Sequence, residues 1–212
     1  MPAEQLALDH LVLGVADLDD AAAVLLDAHG LVALPGGSHP LWGTANRIVP
    51  LGSSYLELVA VVDPDVAATS AFGSWVADMA ARRSDWGWAV RTRDIATTAD
   101  RLGLDVVPGS RVTPAGVELS WRLAGVPGPD GDRTLPFFIE WGDGTPLPGT
   151  AYADHPAGEV RVTAVDVQTD AAELGRWLDH AALPVAVRPG RRGITRVELT
   201  AGTGRILLEP GL

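Results

Sequence analysis

Leu8-Asp9-His10-Leu11-Val12-Leu13-Gly14-Val15, then Asp17, then Tyr55-Leu56-Glu57-Leu58: this stretch decides the fold, because the chain repeats it. A β-branched, apolar run leads to an aspartate able to cap a helix, and a later strand carries a glutamate. The phrase returns from Trp88-Ala89-Val90-Arg91-Thr92 through Asp94 to Phe137-Phe138-Ile139-Glu140-Trp141. It returns again from Thr163-Ala164-Val165-Asp166-Val167 through Asp170 to Ile206-Leu207-Leu208-Glu209. The Asp-to-Glu steps, 17 to 57, 94 to 140 and 170 to 209, span 40, 46 and 39 residues. Self-similarity at a near-constant period is a fold-level signal, read before any single residue.

Each copy spells strand, helix and three strands. After Asp17, residues Leu18, Ala21, Ala22, Leu25 and Leu26 recur at helical spacing up to Gly30. Pro35-Gly36-Gly37 reads as a turn or loop. Residues 45–51 and 54–61 read as a hairpin about Gly52-Ser53. Asp94 caps a second helix closed by Gly103, with strands near 104–107, 115–123 and 134–141. In the third copy Asp170 and Glu173 form a capping box, followed by strands near 184–188, 193–200 and 204–209. The expected division is a first unit over 1–62, a helical insertion over 63–84 ending at Arg82-Arg83, a second unit over 85–142, a Gly/Pro/Asp linker over 143–158 and a third unit over 159–212. One sheet with one helix covers a single face, so such α+β units should pair and leave a concave sheet surface suited to a small molecule. The third copy either pairs with its equivalent in a second chain, as a homodimer, or caps the first two.

The 212 residues carry a formal net charge of −11, no cysteine and 16 basic residues that are all arginine. This excludes disulfides, thiolate ligands, cysteine nucleophiles and lysine Schiff-base chemistry. An acidic chain without a basic stripe is a poor partner for nucleic acid or an anionic membrane. No apolar run is long enough to span a bilayer and no secretory signal is expected, so a cytoplasmic location is expected.

The βαβββ repeat resembles the vicinal oxygen chelate superfamily of glyoxalases, bleomycin-resistance proteins and extradiol dioxygenases. Within it, His39-Pro40-Leu41-Trp42-Gly43-Thr44-Ala45-Asn46-Arg47 followed by Tyr55-Leu56-Glu57-Leu58 looks like the glyoxalase-like domain proteins, as do Pro136-Phe137-Phe138-Ile139-Glu140-Trp141 and His155-Pro156. The resemblance covers essentially the whole chain. It implies two paired units forming a cup-shaped half-barrel with a third βαβββ-like unit beside it. It also implies a divalent metal (Zn, Mn, Fe or Ni) held from the first and last strands of the paired units. Carried over position by position, the ligands are His10, Glu57 and Glu140. His10 lies seven residues before Asp17, and seven before Asp94 is Gly87, so the second unit has lost its first-strand ligand. Such a metal would act as a Lewis acid on vicinal oxygens.

The residues themselves add further candidates. His39, in a glycine-rich segment expected over the cup mouth, is a replacement ligand or a general base, with Glu140 as the other catalytic candidate. Thr44 and Asn46 offer hydrogen bonds to a ligand, and Arg47 a bidentate clamp for a carboxylate. Trp86 and Trp88 flank Gly87, where a small residue leaves room for a ligand. Tyr55 and Trp141 neighbour the candidate acids and are assigned to packing on the opposite face. Two functions are carried forward. One is a metal-dependent lyase, isomerase or dioxygenase acting on a small molecule with adjacent oxygens. The other is a metal-free small-molecule-binding protein of the drug-sequestering kind.

Overall fold

The computed structural model describes residues 6–82, 86–113, 116–128 and 134–211. The expected helix end at Arg83, the strand start at 115 and the loop residues 129–132 lie outside them. The first unit comprises β1 (Ala7–Gly14), α1 (Leu18–His29), β2 (Leu34–His39), β3 (Thr44–Leu51) and β4 (Ser54–Val61), with a 3₁₀ turn at Pro40–Trp42. The insertion is α2 (Pro64–Ala67) and α3 (Ala71–Arg82). The second unit comprises β5 (Trp86–Arg91), α4 (Ile95–Leu102), β6 (Val106–Val112), β7 (Glu118–Ala124) and β8 (Phe137–Trp141). The third comprises β9 (Val160–Gln168), α5 (Ala171–Trp177), β10 (Val185–Arg188), β11 (Gly193–Ala201) and β12 (Gly204–Leu208). No helix among the described residues is long and apolar enough to cross a membrane.

The caps act as their sequence suggests. Asp17 accepts the amides of Asp19 and Asp20, and Gly30 closes α1 at φ 64°. Asp170 accepts the amide of Glu173, but the Glu173 carboxylate pairs with Arg192 instead of completing the capping box. Pro35-Gly36-Gly37 is not a turn. It lies within β2, with a register irregularity between Pro35 and Gly37 against β3.

The first two units close into a barrel of strand order β1-β4-β3-β2-β6-β7-β8-β5. In each, the last strand runs parallel to the first: Val12 lies opposite Glu57, and Ala89 opposite Phe137. One seam is the antiparallel β1–β5 pair, which sets Val12 against Gly87. The other is a single bridge between Ser38 and Val112. There Gly37 has φ 149°, and a Cβ on it would stand 2.2 Å from the Val112 carbonyl oxygen, so only glycine lets these strands meet.

Strand alternation sorts the apolar residues into two cores. Val12, Val59, Ala89, Leu123, Phe137 and Ile139 face the barrel interior, joined by Phe72, Trp75, Val76 and Met79 of α3, which plugs one end. Leu11, Leu56, Leu58, Trp88 and Phe138 face outward, under the helices and the third unit.

The third unit keeps the element order but not the strand order. Its sheet runs β10-β9-β11-β12, so β10 lies parallel beside β9 while the last strand β12 is an edge. Glu209 follows the end of β12 and has no counterpart to the place of Glu57. Within the chain this unit packs on the first two. Val165, Val167 and Leu199 share one core with Trp86, Trp88 and Phe138. Trp177 Nε1 donates to the Pro136 carbonyl at 2.8 Å, and Arg101 donates to the carbonyls of Arg176 and Trp177.

Candidate active site

The inward side chains of the barrel line a cavity with a polar and an apolar side. It is narrow, about 20 Å³, space for about one water. Its polar wall comes from the first unit: His10, His39, Asn46, Tyr55 and Glu57. The second unit supplies an apolar wall of Trp121, Leu123, Phe137, Ile139 and Trp141, with Arg111 as the exception.

The most ordered part of the site is a pair of sequence neighbours. On a regular strand Asp9 and His10 would face opposite ways. The register of β1 against β5 shifts between Leu8 and His10, and this bulge lets both side chains meet. Asp9 Oδ1 lies 2.7 Å from His10 Nδ1, and the other carboxylate oxygen accepts from Arg91 at 3.0 Å and Trp141 Nε1 at 3.1 Å. A carboxylate only accepts, so Nδ1 is the donor to Asp9, and Nε2 is the ring nitrogen left to the cavity. Nε2 stands 3.7 Å from Glu57 Oε2. The imidazole stacks on Tyr55 at 4.5 Å and meets the edge of Phe137. Burial, then the charges of Asp9 and Glu57, push the Tyr55 phenol well above its usual range, so it is a neutral O–H donor.

Glu57 is fixed from the side. Asn46 Nδ2 donates to Glu57 Oε1 at 2.5 Å, while Asn46 Oδ1 accepts from Arg111 at 3.5 Å. His39 ends β2 inside the barrel rather than on a loop over the cup mouth. Its Nδ1 is 2.9 Å from Thr44 Oγ1, and its ring is enclosed by Trp42, Phe72 and Trp121. Burial lowers its pKa from 6.5 to about 4, against the opposing pull of Glu57, with Arg111 lowering it further. At neutral pH His39 is an uncharged imidazole, a hydrogen-bonding group and a weak base.

Several expected site residues stand elsewhere. Glu140 points out of the barrel, because Phe137, Ile139 and Trp141 take the inward positions of β8. It accepts the Ile95 amide at 2.8 Å, serving the start of α4, and pairs with Arg122 at 2.7 Å. Of the Glu140–Trp141 pair it is therefore Trp141 that lines the cavity. Tyr55, two residues from Glu57, shares its face. Arg47 lies on the outer face of β3 and is held by Asp19 of α1 and the Ala33 carbonyl. Trp86 and Trp88 belong to the outer core, where Trp88 Nε1 donates to the Thr134 carbonyl at 2.9 Å. The space beside Gly87 is filled: a Cβ there would stand 2.3 Å from the Trp75 indole.

These placements bear on the expected metal. With Glu140 outside and Trp75 against Gly87, the second unit offers no ligand among the described residues, and of the three expected ligands His10 and Glu57 are left. Among the described residues no group of three or more His, Cys, Asp or Glu side chains gathers to hold a metal ion. The residues present do not fit a chelate built from both units.

The model of the glyoxalase-like domain family matches residues 8–182. This chain belongs to that family. With it goes membership of the vicinal oxygen chelate superfamily, in keeping with the paired βαβββ units. No curated protein sequence matches the chain. Among solved structures, the glyoxalase-like protein is similar to a hypothetical protein from Staphylococcus aureus, at 17% identity and a TM-score of 0.65, over 96% of this chain and 86% of that one. It is also similar to methylmalonyl-CoA epimerase from Mycobacterium tuberculosis, at 18% identity and a TM-score of 0.45, over 66% of this chain and 91% of that one. The Streptomyces coelicolor enzyme of that name gives 19% identity and 0.46, over 63% and 96%. At these identities the likeness is one of fold.

Of the residues expected at a site, the cavity of this glyoxalase-like protein brings together His10, Glu57, Asn46 and His39, with Thr44 behind His39. It adds Asp9, Tyr55, Arg111 and Trp141. Tyr55 was open to simple parity with Glu57. Asp9 depends on a bulge that no periodicity reveals.

Proposed function

We propose that this glyoxalase-like protein performs proton-transfer chemistry on a small carbonyl compound held in the barrel, with His10 as the base. The observation that supports this most is the Asp9–His10 contact at 2.7 Å, with Asp9 itself held by Arg91 and Trp141. A carboxylate fixing Nδ1 sets the tautomer and aims Nε2, which is what a general base requires. In the proposed step Nε2 takes a proton from the carbon beside a carbonyl. The electron pair passes to the carbonyl oxygen, which accepts hydrogen bonds from the neutral Tyr55 hydroxyl and the neutral His39 ring. The proton returns from His10, whose protonated ring is stabilised by the Glu57 carboxylate beside Nε2. Such chemistry belongs to isomerases and lyases, and it uses the groups present without a metal chelate. A cytoplasmic location, suggested by the cysteine-free composition, is part of the same proposal.

The test is deuterium incorporation. Hydroxyacetone, dihydroxyacetone, pyruvate and 2-oxobutyrate are incubated with the protein in D₂O with excess EDTA and followed by proton NMR. Exchange that survives EDTA and is lost in His10→Gln and Glu57→Gln is expected. Exchange that vanishes with EDTA and returns with Zn, Mn, Fe or Ni would restore the metal-dependent reading.

A second reading is supported by the aromatic enclosure of Trp42, Phe72 and Trp121, whose rings lie within 6 Å of one another in two of the three pairs. Such a cage suits a binding protein that holds a ligand without altering it. Binding by tryptophan fluorescence in EDTA, with no exchange of any bound compound, would favour it.

A further inference from the structure

Arg111 is a buried cation with no carboxylate against it among the described residues. Only 6% of it is exposed, and it lines the cavity. Among the described residues its polar contact is Asn46 Oδ1 at 3.5 Å, the outer limit of a hydrogen bond, and it joins no ion pair within 4.0 Å. The other cavity charge, Glu57, is separated from it by the Asn46 amide, which turns its nitrogen to Glu57 and its oxygen to Arg111. A guanidinium presents five N–H donors in a planar fork, so most of this fork is left to the cavity. A buried charge left this way is costly unless something pairs with it. The surroundings make room for it. A Cβ on Gly36 would stand 2.0 Å from Asn46 Oδ1 and 2.9 Å from the Arg111 guanidinium, so the β2 glycine clears the space in which these two groups meet.

We infer that the ligand of this cavity is a small carboxylate whose anionic end is held by Arg111 while its adjacent carbon is presented to His10 and Glu57. The inference rests on the reading of this barrel cavity as the functional site, and it names the chemical class of the molecule. The fork of Arg111 matches a carboxylate bidentately. The expected orientation follows from the walls: Arg111 is the cation of the second-unit wall, and the proton-bearing groups come from the first.

The test compares charged and uncharged versions of one shape. Glycolate, lactate and pyruvate, and the neutral glycolamide, lactamide and pyruvamide, are titrated into the full chain by calorimetry and by the fluorescence of the cavity tryptophans. At least one acid is expected to bind about 10- to 100-fold more tightly than its amide, the range set by losing one charge-assisted contact. Arg111→Gln should erase that preference, and Arg111→Lys should keep part of it, with circular dichroism confirming the fold of each. If Arg111→Gln does not fold, the acid-to-amide comparison in wild type and Arg111→Lys still decides. Equal affinity for acid and amide, acid binding unchanged by Arg111→Gln, or no acid bound at 10 mM ligand, about the weakest affinity of interest for so few atoms, overturns the inference. Arg111-dependent binding without deuterium exchange would leave the anion site standing and remove the proton-transfer reading. Exchange equal for acids and amides would do the reverse.

Discussion

Asp9 and His10 are covalent neighbours whose side chains meet at 2.7 Å, a contact that the bulge in β1 makes possible. The pair is buried, and Asp9 also receives Arg91 and Trp141. Asp9→Asn should therefore release His10 from its Nδ1–H tautomer, because an amide can donate to Nδ1 where a carboxylate cannot. Long-range ¹H–¹⁵N spectra of the imidazole read this directly. Arg91 loses its partner as well, so the variant should be about 3 kcal/mol less stable, the scale for breaking a buried pair, in urea unfolding. An unchanged tautomer would refute the orienting role.

Gly87 and Trp75 occupy one another's space. Gly87→Ala places a methyl group 2.3 Å from the indole, so a loss of about 1–3 kcal/mol is expected from overpacking. Trp75→Leu alone should cost about 3 kcal/mol as a cavity opens. Combined, the two should be more stable than the sum of their separate losses predicts, by about 1 kcal/mol. Strict additivity in a denaturant double-mutant cycle would contradict the plug.

His39 makes stability depend on pH. Burial holds its folded value near 4, below the ordinary 6.5. Between those values the unfolded chain takes up a proton that the folded one refuses. The contribution is full above pH 6.5 and is lost as pH falls through about 4. From pH 7 to pH 4 wild type should lose about 3 kcal/mol more than His39→Gln, at about 1.4 kcal/mol per unit. Parallel urea titrations of both proteins at a series of pH values check the sign and the window.

Glu140→Gln is the negative control for the site. It removes the Arg122 pair and weakens the bond to the Ile95 amide, both near the surface. A loss of about 1 kcal/mol is expected, with metal content and ligand affinity as in wild type. A drop in either would return Glu140 to the site by a route that its outward position does not provide.

The sequence and the structure agree where chemistry is local. Asp17, Asp94 and Asp170 cap helices as their neighbours suggest, and the hairpin of residues 45–61 appears about Gly52-Ser53. They diverge where a choice depends on what lies across a sheet. The run Phe137 to Trp141 is apolar on both faces, since one face meets the cavity and the other the third unit, so its parity carried no mark and Glu140 was assigned inward. Arg111 fell between expected strands because β6 reaches Val112, past the expected end near residue 107. The rearranged third sheet was illegible for another reason. The order of elements along the chain is the same in all three units, and only the place of the last strand differs.

The division of the cavity into a polar wall from one unit and an apolar wall from the other has a stereochemical consequence. A molecule lying between them meets proton-carrying groups on one of its two faces. Any hydrogen it gives up to His10 leaves from that face and, unless the molecule turns over in a space with no room for it, comes back to the same one. Turnover in D₂O should then mark a single prochiral position. The inserted helix presses Trp75 against Gly87, which stands seven residues before Asp94 as His10 stands seven before Asp17, so two halves of like backbone present unlike walls.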